Sequence, residues 1–220
     1  VWQEAVNTYL KEDEARPIYD FYALMIKHHG FFLEQSKSEH KIAIKESVLE
    51  YYDRFLKALL IPDMRASVKI ASEYIKEASN IAVWYEDVIL PAMYEMGNKW
   101  AKGEINVGQE HMATSIVQRV MSMFYPMLLD IPKNKGGILV ASSAGELHEI
   151  GARMVSDFLE MNGWDVYYCG ADTPDESVFA VLAKNRIHYL CVSTTITYNL
   201  KNVRKLIAKV KKEDPSIYVI

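Results

Sequence analysis

The sequence has few cysteines: Cys169 and Cys191 are the only two in 220 residues. Both fall in predicted strands, and their separation does not match the spacing of metal-ligating cysteines. These features exclude a disulfide-rich secreted scaffold and a cysteine-based zinc site. Two isolated thiols are typical of a reducing compartment, so we expect a cytoplasmic protein.

The sequence also lacks an excess of positive charge and any long apolar run. The formal net charge is -4, whereas a phosphate-binding surface needs a concentrated basic face. We therefore expect no direct binding of nucleic acid. No signal peptide is visible, and no apolar stretch approaches the roughly 18 residues of a membrane span. The chain starts without methionine and ends at "SIYVI", so we expect a piece of a longer protein.

Glycine is scarce in the first part of the chain, where only four of the ten glycines precede residue 136. Apolar residues recur there at three- and four-residue steps, which is typical of amphipathic helices. Pro91 is expected to begin a new helix or to kink an existing one. We predict an N-terminal helical extension over 1–45, a helical bundle over 46–129 and a linker over 130–137. The helical segments are 2–14, 17–30, 40–61, 64–79, 82–103 and 108–129.

After the linker the hydrophobic period changes, and short runs rich in β-branched and aromatic residues alternate with helical patterns. The predicted strands are 137–143, 164–170, 187–193 and 216–220, and the predicted helices are 148–162, 175–185 and 199–213. This alternation predicts a doubly wound, flavodoxin-like parallel sheet over 138–220. The whole chain is therefore expected to be an α + α/β protein. In such sheets ligands bind beyond the carboxyl ends of the strands.

The stretch "SSAGELHEIGARM", residues 142–154, lies in that position, directly after the first predicted strand. A neutral imidazole is a good metal ligand when a carboxylate fixes its other ring nitrogen, so Glu146 is a candidate partner for His148. Gly151 leaves room for a bulky group against the backbone. The alternative is a partly buried histidine near a helix start, with Glu146 favouring the helix dipole.

"GELHEIG" resembles the cobalamin-binding signature D-x-H-x-x-G, with glutamate in place of aspartate. The resemblance implies that His148 replaces the cofactor's own base as lower cobalt ligand and that Glu146 holds it. "VSTTI" is similar to a second element of this family, which implies that Ser193 and Thr195 line the slot for the nucleotide tail. Alternatively, these hydroxyls cap the next helix. The family's Gly-Gly after the fourth strand is absent, so we expect an α/β domain that is incomplete at its C-terminus.

"WAKGEINVGQEH" has a W-x9-E-H spacing that resembles the helical cap of adenosylcobalamin-dependent photoreceptors of the CarH and LitR type. The resemblance implies that Trp100 packs against the adenosyl group, while Glu110 and His111 contact the polar upper face. Alternatively, Trp100 belongs to the core, and the other two are solvated residues of a first helical turn. Ala101 stands where these photoreceptors have a histidine, which puts their lit-state ligation in doubt here.

Three functions remain open at this point. The first is a sensory module that binds adenosylcobalamin and signals, after photolysis, through a homo-oligomer or an attached output domain. The second is a corrinoid carrier of a methyl-transfer system, with methylcobalamin as its form of the cofactor, and the third is a cofactor-free interaction module. No nucleophile–base pair or phosphate loop is visible, so we expect no autonomous catalysis. We interpret His28, His29 and His40 as solvated residues rather than metal ligands.

Overall fold

The computed structural model describes residues 10–28, 30, 42–185 and 187–220. The chain divides into two compact units, Val1–Ile42 and Ala43–Ile220. In the first unit, helix α1 spans Glu12–Lys27 and contains Pro17. The predicted break before Pro17 is therefore wrong, since the helix continues through the proline. Of the predicted helical segments, residues 2–9, 29, 40 and 41 lie outside the described residues.

The second unit begins with a bundle of helices, as predicted. A 3-10 turn and five α-helices precede a second 3-10 turn: Glu46–Val48, α2 (Leu49–Leu60), α3 (Met64–Tyr74), α4 (Ala78–Trp84), α5 (Leu90–Ala101), α6 (Val107–Phe124) and Tyr125–Leu128. Asn106 caps α6 by accepting a hydrogen bond from the Gln109 N–H at 3.0 Å, which satisfies an N-terminal donor. Residues 42–45 are not helical, so the helix predicted from residue 40 starts later.

Pro91 is the second residue of α5, in line with the expectation that it begins a helix. A π-helical turn, Tyr85–Ile89, joins α4 to α5 directly before it. The proline ring has no N–H and would collide with the carbonyl of Asp87 in a regular α-helix. The wider π turn accommodates this, so the chain stays helical from α4 through α5.

The predicted parallel sheet is confirmed. Its elements are β1 (Gly137–Ser142), α7 (Ile150–Met161), β2 (Asp165–Tyr168), α8 (Asp175–Lys184), β3 (Ile187–Ser193), a 3-10 turn (Thr197–Asn199), α9 (Leu200–Glu213) and β4 (Tyr218–Val219). All pairs are parallel and the strand order is β2-β1-β3-β4. The connections leave β1 and β3 in opposite directions, so the order reverses between these two strands, where ligands bind in such sheets.

The two parts of the second unit share a core through α7. Met154 of α7 is buried among the helices of the bundle, and Phe158 packs edge-to-face on Tyr85 at 5.9 Å. The sheet buries its other face against α8 and α9. The helical bundle and the α/β part are therefore joined by a shared core as well as by the predicted linker, because the apolar face of α7 points into the bundle. No helix in the described ranges is long and apolar enough to cross a bilayer.

Buried polar contacts reinforce this packing. The Tyr85 hydroxyl donates to Asp157 Oδ2 at 2.6 Å, and the Tyr125 hydroxyl donates to Glu160 Oε1 at 2.9 Å. Burial raises the pKa of Asp157 to about 6, although the Tyr85 hydrogen bond and the charge of Arg153 act in the opposite direction. At neutral pH Asp157 is therefore a buried, ionised carboxylate whose charge is only partly stabilised by its neighbours.

We expect Asp157→Asn to flatten the pH dependence of folding stability. A carboxyl with a raised folded-state pKa binds protons more tightly in the folded protein, so its stabilisation is fully present below pH 3.8 and is lost as the pH rises through about 6. This loss amounts to about 3 kcal/mol. Urea unfolding at pH 4 and pH 8 measures it, with exposed Asp130→Asn as the control. Equal pH dependence in Asp157→Asn and the unmutated protein would contradict the assignment.

Candidate functional site

The loops after β1 and β3 meet at the point where the strand order reverses. Ser142 pairs in register with Ser193 at the ends of the two strands, and the Ser143 N–H donates to the Ser193 carbonyl at 3.0 Å. The Asn202 side chain in α9 donates to the Ala144 carbonyl at 3.4 Å. Residues 143–149 are therefore held against the loop that follows β3.

Glu146 is the centre of this contact, with a fully buried side chain. Its Oε1 accepts hydrogen bonds from the His148 N–H at 3.0 Å and lies 2.5 Å from His148 Nδ1. Its Oε2 accepts the N–H groups of Thr195 at 2.6 Å and Ile196 at 3.0 Å, and the Thr194 hydroxyl at 3.4 Å. The carboxylate thus joins the predicted ligand to the loop after β3, rather than serving the start of α7.

The electrostatics of the pair set the chemistry of His148. Burial by itself would raise the pKa of Glu146, but the hydrogen bonds from Ile196, His148 and Thr195 lower it to about 2. The ionised carboxylate accepts a hydrogen bond from the Nδ1–H, which leaves the lone pair of Nε2 free to bind a metal. The His148 side chain is 61% exposed, so this nitrogen is open to a ligand.

Two residues that the sequence analysis missed hold the loop from either side. Asp172 Oδ1 accepts the Gly145 N–H at 2.7 Å, and the Asp172 N–H donates to the Glu146 carbonyl at 2.9 Å. Asn199 donates to the Gly145 carbonyl at 3.2 Å. Asp172 has a φ of 44°, a left-handed conformation that asparagine and aspartate tolerate best. The aspartate at position 172 and the asparagine at position 199 indicate only turns. No spacing in the sequence could therefore have predicted their contacts with this loop.

Ser193 and Thr195 lie where the prediction put them, at the end of β3 and in the loop after it. Neither the 3-10 turn nor α9 has a side-chain cap, so helix capping does not explain their hydroxyls. Ser142 and Ser143 are buried, and their hydroxyls have no hydrogen-bond partner among the described residues. Unpartnered buried hydroxyls are costly, and these two lie beside the predicted slot.

Gly151 is the second residue of α7 and is exposed. A Cβ added there would meet no atom within 4 Å apart from its own helix. No packing among the described residues therefore requires glycine at this position. The helix surface at Gly151, three residues after His148, is open to a bulky group.

The predicted residues of the helical bundle lie at the end of α5 and the start of α6. Trp100 is 52% exposed, so it is not a core residue. Glu110 accepts a hydrogen bond from the Thr114 hydroxyl at 2.9 Å, and His111 Nε2 lies 3.6 Å from Glu110 Oε2. Within the described chain, no hydrogen bond or ion pair joins any of these three to residues 146–151.

Of the other histidines singled out in the sequence, one lies among the described residues. His28 follows the last residue of α1, whereas His29 and His40 lie outside the described residues. No group of three or more histidine, cysteine, aspartate or glutamate side chains could hold a metal ion in the ranges that the structure describes. Cys169 and Cys191 are free, and burial raises the pKa of both thiols.

Two protein-family models match this chain, and both are described as a B12 binding domain. One matches residues 136–220 and the other residues 51–125. The chain belongs to the cobalamin-binding domain family. The two matched regions coincide with the parallel sheet and with the bundle of helices before it.

Several proteins that are similar to this chain carry the name corrinoid protein. Monomethylamine corrinoid protein 1 of Methanosarcina mazei is 22% identical over 171 residues, which cover 75% of this chain and 78% of the relative. The methanol–corrinoid protein of Methanosarcina barkeri is 33% identical over 79 residues, 34% of this chain and 31% of the relative. The solved monomethylamine corrinoid protein of M. barkeri has a TM-score of 0.66 at 22% identity, over 78% of this chain and 82% of its own. That structure shows the shared fold.

These relatives do not support the narrower resemblance to photoreceptors. They fit the coarser expectation of a protein that binds a corrinoid. The W-x9-E-H spacing places Trp100, Glu110 and His111 near one end of the bundle, but a spacing on two helices does not determine what those residues cover.

The residues of the site fit a corrinoid. The corrin ring supplies four nitrogen ligands to cobalt, so one protein ligand is sufficient and a cluster of metal-binding side chains is not needed. His148, with a free and exposed Nε2, can provide that ligand. The unpartnered hydroxyls of Ser142 and Ser143 offer polar contacts, and the open surface at Gly151 offers space.

We expect Glu146→Gln to destabilise the cofactor-free protein by about 3 kcal/mol at pH 7. The lowered pKa means that the stabilisation is fully present above pH 4.5 and is lost as the pH falls through about 2. The difference between the variant and the unmutated protein should therefore shrink in acid. Urea titrations at pH 7 and pH 3 measure it, with exposed Glu176→Gln in α8 as the matched control. A cost that is the same at both pH values would contradict this.

Proposed function

We propose that this chain is a corrinoid carrier of a methyl-transfer system. The observation that carries the proposal is His148, held through Nδ1 by the ionised Glu146 and exposed at its other nitrogen. Relatives that span most of the chain carry the name monomethylamine corrinoid protein. A bound corrinoid would supply the cobalt that accepts and releases the methyl group, and the protein orients it without catalysing the transfer alone.

Each residue of the site has a defined task in this proposal. His148 would bind the cobalt, and Glu146 keeps its ring in one tautomer and direction. Ser193 and Thr195, with the buried Ser142, would contact the nucleotide tail. Gly151 leaves the helix surface free for the corrin ring.

The upper face separates a carrier from a light sensor. A carrier must present the cobalt to partner enzymes, so its upper face has to be accessible. Trp100 is half exposed, and Glu110 is already hydrogen-bonded to Thr114 within α6. Ala101 offers no cobalt ligand. These features favour the carrier, whereas the expected homo-oligomer or attached output domain stays a prediction.

The decisive experiment identifies the lower ligand. In protein loaded with hydroxocobalamin and reduced to the Co(II) state, we expect the electron paramagnetic resonance spectrum to show nitrogen coupling that changes on ¹⁵N-histidine labelling. His148→Ala should abolish this change or lose the cofactor, because no other histidine is held by a buried carboxylate in the described chain. His111→Ala is the control and should keep the signal. A labelling effect that survives in His148→Ala would refute the proposed ligand.

A second measurement tests carrier against sensor. A carrier is expected to bind methylcobalamin at least as tightly as adenosylcobalamin, and Trp100→Ala should change both dissociation constants by a similar small factor. Absorbance titrations in darkness give the constants. A strong preference for adenosylcobalamin that Trp100→Ala removes, together with a light-dependent change in oligomeric state, would instead support a sensor.

A further inference from the structure

We propose that Glu149 is a positioning residue that couples the placement of helix α6 to the orientation of His148. Glu149 stands at the position that would cap α7, yet its side chain does not cap that helix. Its Oε1 instead accepts a hydrogen bond from the Gln118 side chain of α6 at 2.6 Å. The residue next to the predicted cobalt ligand is thus bonded to the helical bundle.

The second oxygen of Glu149 is fixed on the opposite side, at the end of β2. Its Oε2 accepts the Ala171 N–H at 3.2 Å and the Tyr168 hydroxyl at 3.3 Å. Gly170, with a φ of 79°, permits this approach, since a Cβ there would lie 3.3 Å from Oε2. One carboxylate therefore connects the helical bundle, the start of α7 and the end of β2.

On the other side of the contact, the backbone of Gln118 is also held in place. The Gln118 carbonyl accepts a hydrogen bond from Arg153 Nη1 at 3.3 Å, and Arg153 Nη2 donates to the Ser122 hydroxyl at 2.8 Å. Arg153 thus docks α6 on α7, while the side chain of Gln118 reaches the ligand loop. His111 lies seven residues before Gln118, on the same face and about 10 Å along the helix.

The loop around His148 is consequently held by two carboxylates with different partners. Glu146 binds the loop after β3, and Glu149 binds α6 and the end of β2. A displacement of α6 has to break the hydrogen bond from Gln118 or move the backbone at residue 149. Because binding equilibria are linked, a change of ligation at His148 also alters the preferred position of α6.

This inference rests on the proposed function, since the orientation of His148 matters for a carrier that binds cobalt through it. A small shift of α6 would break the hydrogen bond between Gln118 and Glu149 and so change how the loop holds His148. Glu149 acts through His148 and touches no reacting atom.

Hydrogen exchange of the cofactor-free protein tests the coupling without any corrinoid. Gln118→Ala should speed exchange of the backbone amides of residues 146–151, because it removes the bond that ties Glu149 to α6. Tyr125→Phe is the matched control: it removes a hydrogen bond between the helical bundle and the other end of α7. Unchanged exchange in Gln118→Ala, or an equal effect of Tyr125→Phe, would overturn the inference.

A double-mutant cycle tests it in the loaded protein. Gln118→Ala should weaken hydroxocobalamin binding by up to about 10-fold, the lower end of the range for residues that support a metal ligand. In the Glu149→Ala background the same change should have almost no further effect. Glu149→Gln retains an acceptor oxygen and should restore part of the affinity. Multiplicative effects of the two substitutions would overturn the coupling.

The proposed function can fail separately from this inference. If the unmutated protein binds no cobalamin or does not ligate it through His148, the carrier proposal fails, while hydrogen exchange still decides whether α6 and the loop are coupled. Suppose instead that histidine ligation is present, and that Gln118→Ala has the same nitrogen coupling and the same affinity for hydroxocobalamin as the unmutated protein. Then only the coupling through Glu149 fails.

Discussion

The buried carboxylate of Glu146 is the interaction on which the rest of the site depends. A charge without solvent is tolerated only when donors surround it, and Glu146 receives backbone N–H groups from its own loop and from the loop after β3. These bonds fix the distance between the two loops. They also keep Glu146 ionised, so His148 presents one tautomer and one direction. The same charge thus joins the two loops and orients the ring of His148.

The helical bundle and the α/β part share a core around α7, so they form one compact unit rather than two domains joined by a linker. Apolar residues of α7 pack among the helices of the bundle, and Tyr85 and Tyr125 bond to its buried carboxyl groups. A movement of the helices therefore disturbs α7, whose first turn follows His148. In the proposed carrier, this arrangement would couple the position of the helical bundle to the orientation of His148.

The relatives are named corrinoid proteins, which supports the proposed carrier over a light sensor. The W-x9-E-H spacing describes residues on two consecutive helices, and it is satisfied whether or not those residues cover a cofactor. In the folded protein Trp100 is half exposed and Glu110 bonds within its own helix. An exposed indole at the end of α5 is compatible with a face that partner enzymes approach.

The sequence alone determined the features that depend on local order. The change of hydrophobic period after residue 136 predicted the parallel sheet, and Glu146 and His148 were paired correctly because two residues in one loop cannot lie far apart. The tertiary structure decided everything that joins distant segments. Asp172 and Asn199 hold Gly145 from other loops, and Gln118 contacts Glu149, which lies 31 positions later in the sequence. Helix α7 packs into the helical bundle. Such contacts depend on how whole elements pack, and the local spacing of residues carries no record of that packing.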